Sequence, residues 1–96
     1  MVADKVESTY RRWISKVDSS QPKSDDIARL HELAYQIYLA KQSGDKKWLN
    51  INSGQWLADL LTKDGRFTNH QINRLSYMLS DIVNYNFWLV ERNSEA

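Results

Sequence analysis

The stretch LTKDGRFTNHQINRLSYMLSDIVNYNFWLVERN, residues 61–93, holds a turn, a helix start, an amphipathic run and an apolar tail in that order. Gly65 in Lys63-Asp64-Gly65 supplies the positive φ that ends a preceding helix. Thr68-Asn69-His70-Gln71 has the form of a capping box, in which the threonine hydroxyl accepts a first-turn N–H and Gln71 reaches back to the Thr68 N–H. Phe67 before the cap and Ile72 inside the helix are placed as a hydrophobic staple. Ile72, Leu75, Leu79 and Ile82 then repeat at spacings of three, four and three, one core-facing stripe on a helix over residues 69–84. The opposite face collects His70, Asn73, Arg74, Tyr77, Ser80, Asp81 and Asn84. Beyond Asn84, Tyr85-Asn86-Phe87-Trp88-Leu89-Val90 is aromatic and β-branched, which predicts a terminal strand, with Glu91 to Ala96 as a frayed end.

Working back toward the N-terminus, Ser53-Gly54 opens a helix carrying Trp56, Leu57, Leu60 and Leu61. Before it, KKWLNIN, residues 46–52, alternates imperfectly and reads as a short strand. Ser24 with Asp25 and Asp26 starts a helix by capping and by placing carboxylates at the positive end of its dipole. Ile27, Leu30, Leu33, Ala34, Ile37 and Tyr38 give that helix a wide apolar face to about Gln42, where Ser43-Gly44-Asp45 stops it. Asp18 to Lys23 is a polar connector whose Pro22 ends any helix before it. Val6, Tyr10, Trp13, Ile14 and Val17 form the apolar stripe of an N-terminal helix over 4–17. The expected fold is therefore mainly α, four helices with a short two-stranded β element, in a single domain over 1–96.

Size and composition narrow the function. At 96 residues the chain has room for one core, and a hydrophobic share of 42% with four Trp and five Tyr fills it without staples. The absence of Cys removes disulfides, thiolate metal sites and thiol nucleophiles, and suits a reducing, cytoplasmic location. No apolar run has signal-peptide or membrane-spanning length. Thirteen Lys/Arg against twelve Asp/Glu leave a net charge of +1, so any basic patch must be local. No catalytic role is expected: His31-Glu32 lacks the second helical histidine of a zinc protease, the three glycines are too far apart for a phosphate loop, and no nucleophile elbow appears. Neither cofactor nor metal is expected.

In element order, residues 24–93 resemble a winged helix-turn-helix domain, on the LLTKDGRFT turn and the FWLVER segment taken as the entry to a wing. That resemblance implies a small DNA-binding transcription regulator reading the major groove with helix 69–84. His70, Asn73, Arg74 and Tyr77 would face the bases of double-stranded DNA, where Asn pairs bidentately with adenine and Arg with guanine. Lys63 and Arg66, with Lys46 and Lys47, would hold phosphates. Two other accounts of the same face remain open. It can be a solvated surface, or it can serve a non-enzymatic protein-binding or inhibitory module, because Trp and Tyr are concentrated at interface hot spots. Most aromatics are expected in the core, with Tyr35 and Tyr77 exposed. A homodimer would use the N-terminal helix, Val6 to Val17.

Overall fold

The turn at residues 65–68 sets the architecture. Gly65 adopts φ 81°, and its N–H bonds to the Leu61 carbonyl at 3.2 Å, closing one helix in the left-handed region that glycine favours. The next helix starts with the reciprocal cap read from the sequence: Thr68 N–H donates to Gln71 Oε1 at 2.8 Å, and Gln71 N–H donates to Thr68 Oγ1 at 3.1 Å. Phe67 and Ile72, on either side of the cap, are both buried in the core.

The computed structural model describes residues 2–17 and 24–95. Its helices are α1 (Val2–Ile14), α2 (Ser24–Gln42), α3 (Lys46–Leu49), α4 (Ser53–Asp64) and α5 (Asn69–Glu95). The connector expected at 18–23 and the capping roles expected of the Ser24 and Asp25 side chains fall outside the described residues. Among the described residues there are five helices and no strand, so the two-stranded β element and the winged-helix-like arrangement expected from the sequence are both overturned. The mainly α class holds.

Each lost strand has a local cause. At 46–49 the Asp45 carboxylate accepts the N–H groups of Lys47 at 2.9 Å and Trp48 at 3.4 Å, starting one helical turn. That turn buries Trp48 completely and leaves Leu49 53% exposed. The Lys41 ammonium on α2 then donates to the carbonyls of Trp48 at 2.6 Å and Ile51 at 2.8 Å, satisfying the end that a strand partner would otherwise have to satisfy. Burial pushes the pKa of Lys41 down. At 85–90 there is no neighbouring strand among the described residues to pair with, whereas extending an existing helix adds a backbone bond per residue. The apolar spacing also continues: Leu75, Leu79, Val83 and Phe87 fall four apart, and Phe87 meets the Tyr38 ring at 4.8 Å.

The helices form two antiparallel pairs. In the first, α1 lies along α2, with Trp13 Nε1 donating to the buried Asp26 carboxylate at 3.4 Å. In the second, α4 lies along α5, and Gly54 at the far end of α4 comes so close that a Cβ there would sit 3.0 Å from the Ser76 carbonyl oxygen. The pairs join through α2 against α5, which run parallel, and through Tyr10 of α1 against Trp56 of α4 at 5.8 Å. Because α2 neighbours α5 rather than α4, α3 must carry the chain across the end of the bundle. Trp48 plugs that end, edge to face with Trp56 at 5.2 Å. The start of the crossing is a Schellman turn: Gly44 at φ 83° bonds to the Lys41 carbonyl and Asp45 to the Ala40 carbonyl. Val6, Tyr10 and Trp13 of α1, and Val17 just beyond it, are buried within the chain.

If α3 is an end plug, Trp48→Ala costs about 3–5 kcal/mol of unfolding free energy by urea denaturation. Leu49→Ala next to it changes stability by no more than about 0.5 kcal/mol.

Candidate functional site

The outward side of α5 is the surface on which the sequence placed function. His70, Asn73, Arg74, Tyr77, Asp81 and Asn84 are exposed there, and Ser80 is half-buried. Tyr77 is the most open of the large hydrophobic side chains among the described residues, at 73% exposure. Since α5 continues past Asn84, the ridge continues too, through Tyr85 and Trp88, whose rings stack at 5.7 Å. Reading 85–90 as a strand hides these two aromatics from the ridge; the helical period places them on it.

Grooves flank the ridge on both sides. Toward α2, about 280 Å³ lies between Asp26 and Ile27 on one side and His70, Arg74, Leu75 and Met78 on the other. Toward α4, about 250 Å³ is lined by Gly54, Ala58, Asn73, Ser76, Tyr77 and Ser80. The predicted quartet is thus divided: His70 and Arg74 border the α2 groove, Asn73 and Tyr77 the α4 groove. The Ser76 hydroxyl, buried at the floor of the α4 groove, has no hydrogen-bond partner among the described residues.

The predicted phosphate contacts have separate fates. Lys63 is exposed on the last turn of α4. Arg66 is held by its own turn: Nε donates to Asp64 Oδ1 at 2.6 Å, and Nη2 donates to Asp64 Oδ2 at 3.1 Å and to the Ile14 carbonyl at 3.0 Å. The guanidinium therefore ties the α4–α5 turn to the C-terminal end of α1, with its planar fork matching the carboxylate. The hydrogen bond from Arg66 holds the Asp64 pKa below the usual carboxylate range, and Asp64 in turn raises that of Arg66. Burial, with Asp64 nearby, pushes Tyr10 up to about 12 against a smaller opposing effect of Arg66. An Asp two residues before an Arg across a glycine turn is the sequence signal for this clamp. Lys46 and Lys47 sit on α3, at the end of the bundle away from the α5 start, and Lys47 pairs with Glu7 at 3.2 Å.

Electrostatically the ridge is balanced. Between Asn69 and Val90 its charged residues are Arg74 and Asp81, and neither has an ion-pair or hydrogen-bond partner among the described residues. Such a face offers stacking, directional hydrogen bonds and two complementary charges. Among the described residues no group of three His, Cys, Asp or Glu side chains is placed to hold a metal ion, and no helix is long and apolar enough to cross a membrane. Compared with protein families, curated proteins and solved structures, the chain matches none.

The Asp64–Arg66 clamp has a pH signature. A carboxylate whose folded pKa lies below its unfolded value of about 3.9 stabilises the fold fully above that value and loses the contribution as pH falls through the folded pKa. Asp64→Asn therefore unfolds at lower urea than the parent at pH 7. The gap between the two midpoints closes as pH is lowered below about 4, and urea titrations from pH 7 to strongly acidic buffer measure it.

Proposed function

We propose that this chain is a non-enzymatic interaction module that binds another protein through the outer ridge of α5. One observation carries the proposal: Tyr77, Tyr85 and Trp88 are each about half exposed or more along one helix, beside a single Arg and a single Asp. Tyr, Trp and Arg are the side chains that dominate protein-interface hot spots, and a helix face of neutral net charge has no reason to seek a polyanion. A chain without cysteine suits such a role in the cytoplasm.

Base recognition in DNA is the second reading. What favours it is that His70, Asn73 and Arg74 are all exposed in the first turns of α5, with Lys63 exposed nearby. Two considerations weigh against it. A helix-turn-helix sets its two helices at about 90–120°, so that the second projects into the groove. Here α4 stays beside α5 out to Gly54, forming a hairpin. Of the four predicted phosphate contacts, Arg66 is engaged by Asp64 and the Ile14 carbonyl while Lys46 and Lys47 lie at the other end of the bundle, which leaves Lys63 beside the exposed Arg74. Two phosphate contacts give a salt slope of only about −2, against the six to ten contacts of established DNA readers.

Two measurements separate these readings. On a labelled random-sequence duplex, anisotropy at low salt shows no saturable binding at micromolar protein; a DNA reader binds, weakens steeply with salt, and loses about 1–3 kcal/mol at one base pair on Arg74→Ala. A benzophenone side chain at position 77, irradiated in cells, yields a discrete protein adduct that is lost on Arg74→Ala. The same group at the exposed position 32 on α2 does not. Adducts to DNA, or none to protein, overturn the proposal.

A further inference from the structure

The charges on the α5 ridge cannot satisfy each other within one molecule. Arg74 and Asp81 are seven residues apart, two helical turns or about 10 Å along the axis, whereas intrahelical ion pairs need spacings of three or four. The side chains that would complete such pairs are Met78 for Arg74 and Tyr77 for Asp81. Both charged residues are exposed, and neither has a partner among the described residues. Along the ridge, His70, Arg74, Tyr77, Asp81, Asn84 and Trp88 repeat at four, three, four, three and four, the seam spacing that lets two helices lie side by side.

We infer that the occupant of the ridge is a second copy of this chain, with the two α5 helices antiparallel about a two-fold axis beside Tyr77. This rests on the reading of the ridge as a protein-binding face, and it names the partner. A two-fold contact is self-complementary: if residue i meets j, then j meets i. Setting Arg74 opposite Asp81 of the second copy sets Asp81 opposite the other Arg74, so a single register satisfies both charges twice. The same register brings the two Tyr77 rings together at the axis and places His70 opposite Tyr85 of the second copy. Any parallel alignment that matches residue to residue puts Arg74 beside Arg74 and Asp81 beside Asp81. Charge thus selects the antiparallel arrangement, and the aromatics supply the contact area.

The area suits a reversible dimer. Tyr77, Tyr85 and Trp88 are 73%, 53% and 48% exposed. Aromatic side chains of about 150–250 Å² each leave roughly 300 Å² of ring surface to cover per copy. With the polar side chains of the ridge, the total is on the order of 1,000 Å², the low end of specific interfaces, where complexes form and separate with concentration.

The test is a charge exchange read by sedimentation velocity on the full chain across a concentration series from about 1 to 300 μM, a range spanning weak dimers. The parent shifts from its monomer mass of 11.3 kDa toward twice that mass as concentration rises. R74D and D81R each place like charges across the axis twice, and each weakens the dimer at least tenfold. An equimolar mixture of the two restores it, because one copy then carries carboxylates at both positions and faces a copy carrying guanidinium groups at both. The double variant R74D/D81R also restores it. Recovery in the mixture requires both variants to be folded, so a folding defect cannot imitate the result. A parent that stays monomeric throughout, reversals without effect, or a mixture that does not recover overturns the second copy as occupant. In that event a photo-adduct from position 77 to a different protein leaves the protein-binding ridge standing, and saturable DNA binding without any protein adduct removes both.

Discussion

The near contact of α4 with α5 at Gly54 is the constraint from which the rest of the structure follows. A Cβ at that position would lie 3.0 Å from the Ser76 carbonyl oxygen, tighter than ordinary van der Waals contact, so glycine lets the two backbones approach a few tenths of an ångström closer than a larger residue allows. Held together at the Gly65 turn and again at Gly54, the two helices can only lie alongside one another. That fixes one flank of α5 against α4 and leaves α2 to cover the other, so its third side stays in solvent. The clamp of Arg66 on Asp64 and the Ile14 carbonyl then fastens α1 to the same turn. The ridge is the residual face of a helix whose other sides are occupied.

Where the sequence is legible, the signal is local and the physics short-ranged. The Thr68–Gln71 cap, the glycine stops at 44 and 65, and the starts of α2 and α4 all depend on residues within about four positions of one another, and each appears where its residues predict. Residues 46–52 and 85–90 depart from the strands their composition predicts, the first because the adjoining Asp45 cap and contacts from α2 and α4 set its structure, the second because the helix before it continues. Asp45 capping, the Lys41 ammonium and burial of Trp48 make the first a helical turn, none of which is encoded in the alternation of KKWLNIN. The second has β-prone residues, but that preference spans only about 1 kcal/mol and depends on a neighbouring strand. Val83 and Phe87 extend the Leu75–Leu79 spacing, and that periodicity is the better guide.

The candidate surface divides in the same way. Exposure of His70, Asn73, Arg74 and Tyr77 follows from placing the core stripe correctly, a matter of helical phase alone. The engagement of Arg66 does not, because its acceptors include a carbonyl 52 residues away in sequence. Charge counting treats every exposed cation as available. A planar guanidinium bidentate to a carboxylate and capping a helix end is already committed, and breaking that arrangement to reach a phosphate would cost the turn its anchor.

The loss of the wing and the appearance of the aromatic ridge are one event. In a strand, Tyr85, Phe87 and Leu89 would share one face and Trp88 the other, dividing the aromatics between two sides. In a helix the same residues sort differently: Phe87 turns inward onto Tyr38, while Tyr85 and Trp88 turn outward into line with Tyr77. The helical continuation therefore removes the expected wing strand and lengthens the apolar part of the exposed face. His70, Asn73 and Arg74 then lie toward the N-terminal end of the ridge and the Tyr85–Trp88 stack toward its C-terminal end, with Tyr77, Asp81 and Asn84 between them. An antiparallel partner helix of the same sequence reverses that order, bringing the Tyr85 ring to the His70 imidazole and each charge to its opposite. A surface graded in this way is complementary to its own inverse, which a uniformly polar or uniformly aromatic helix face would not be.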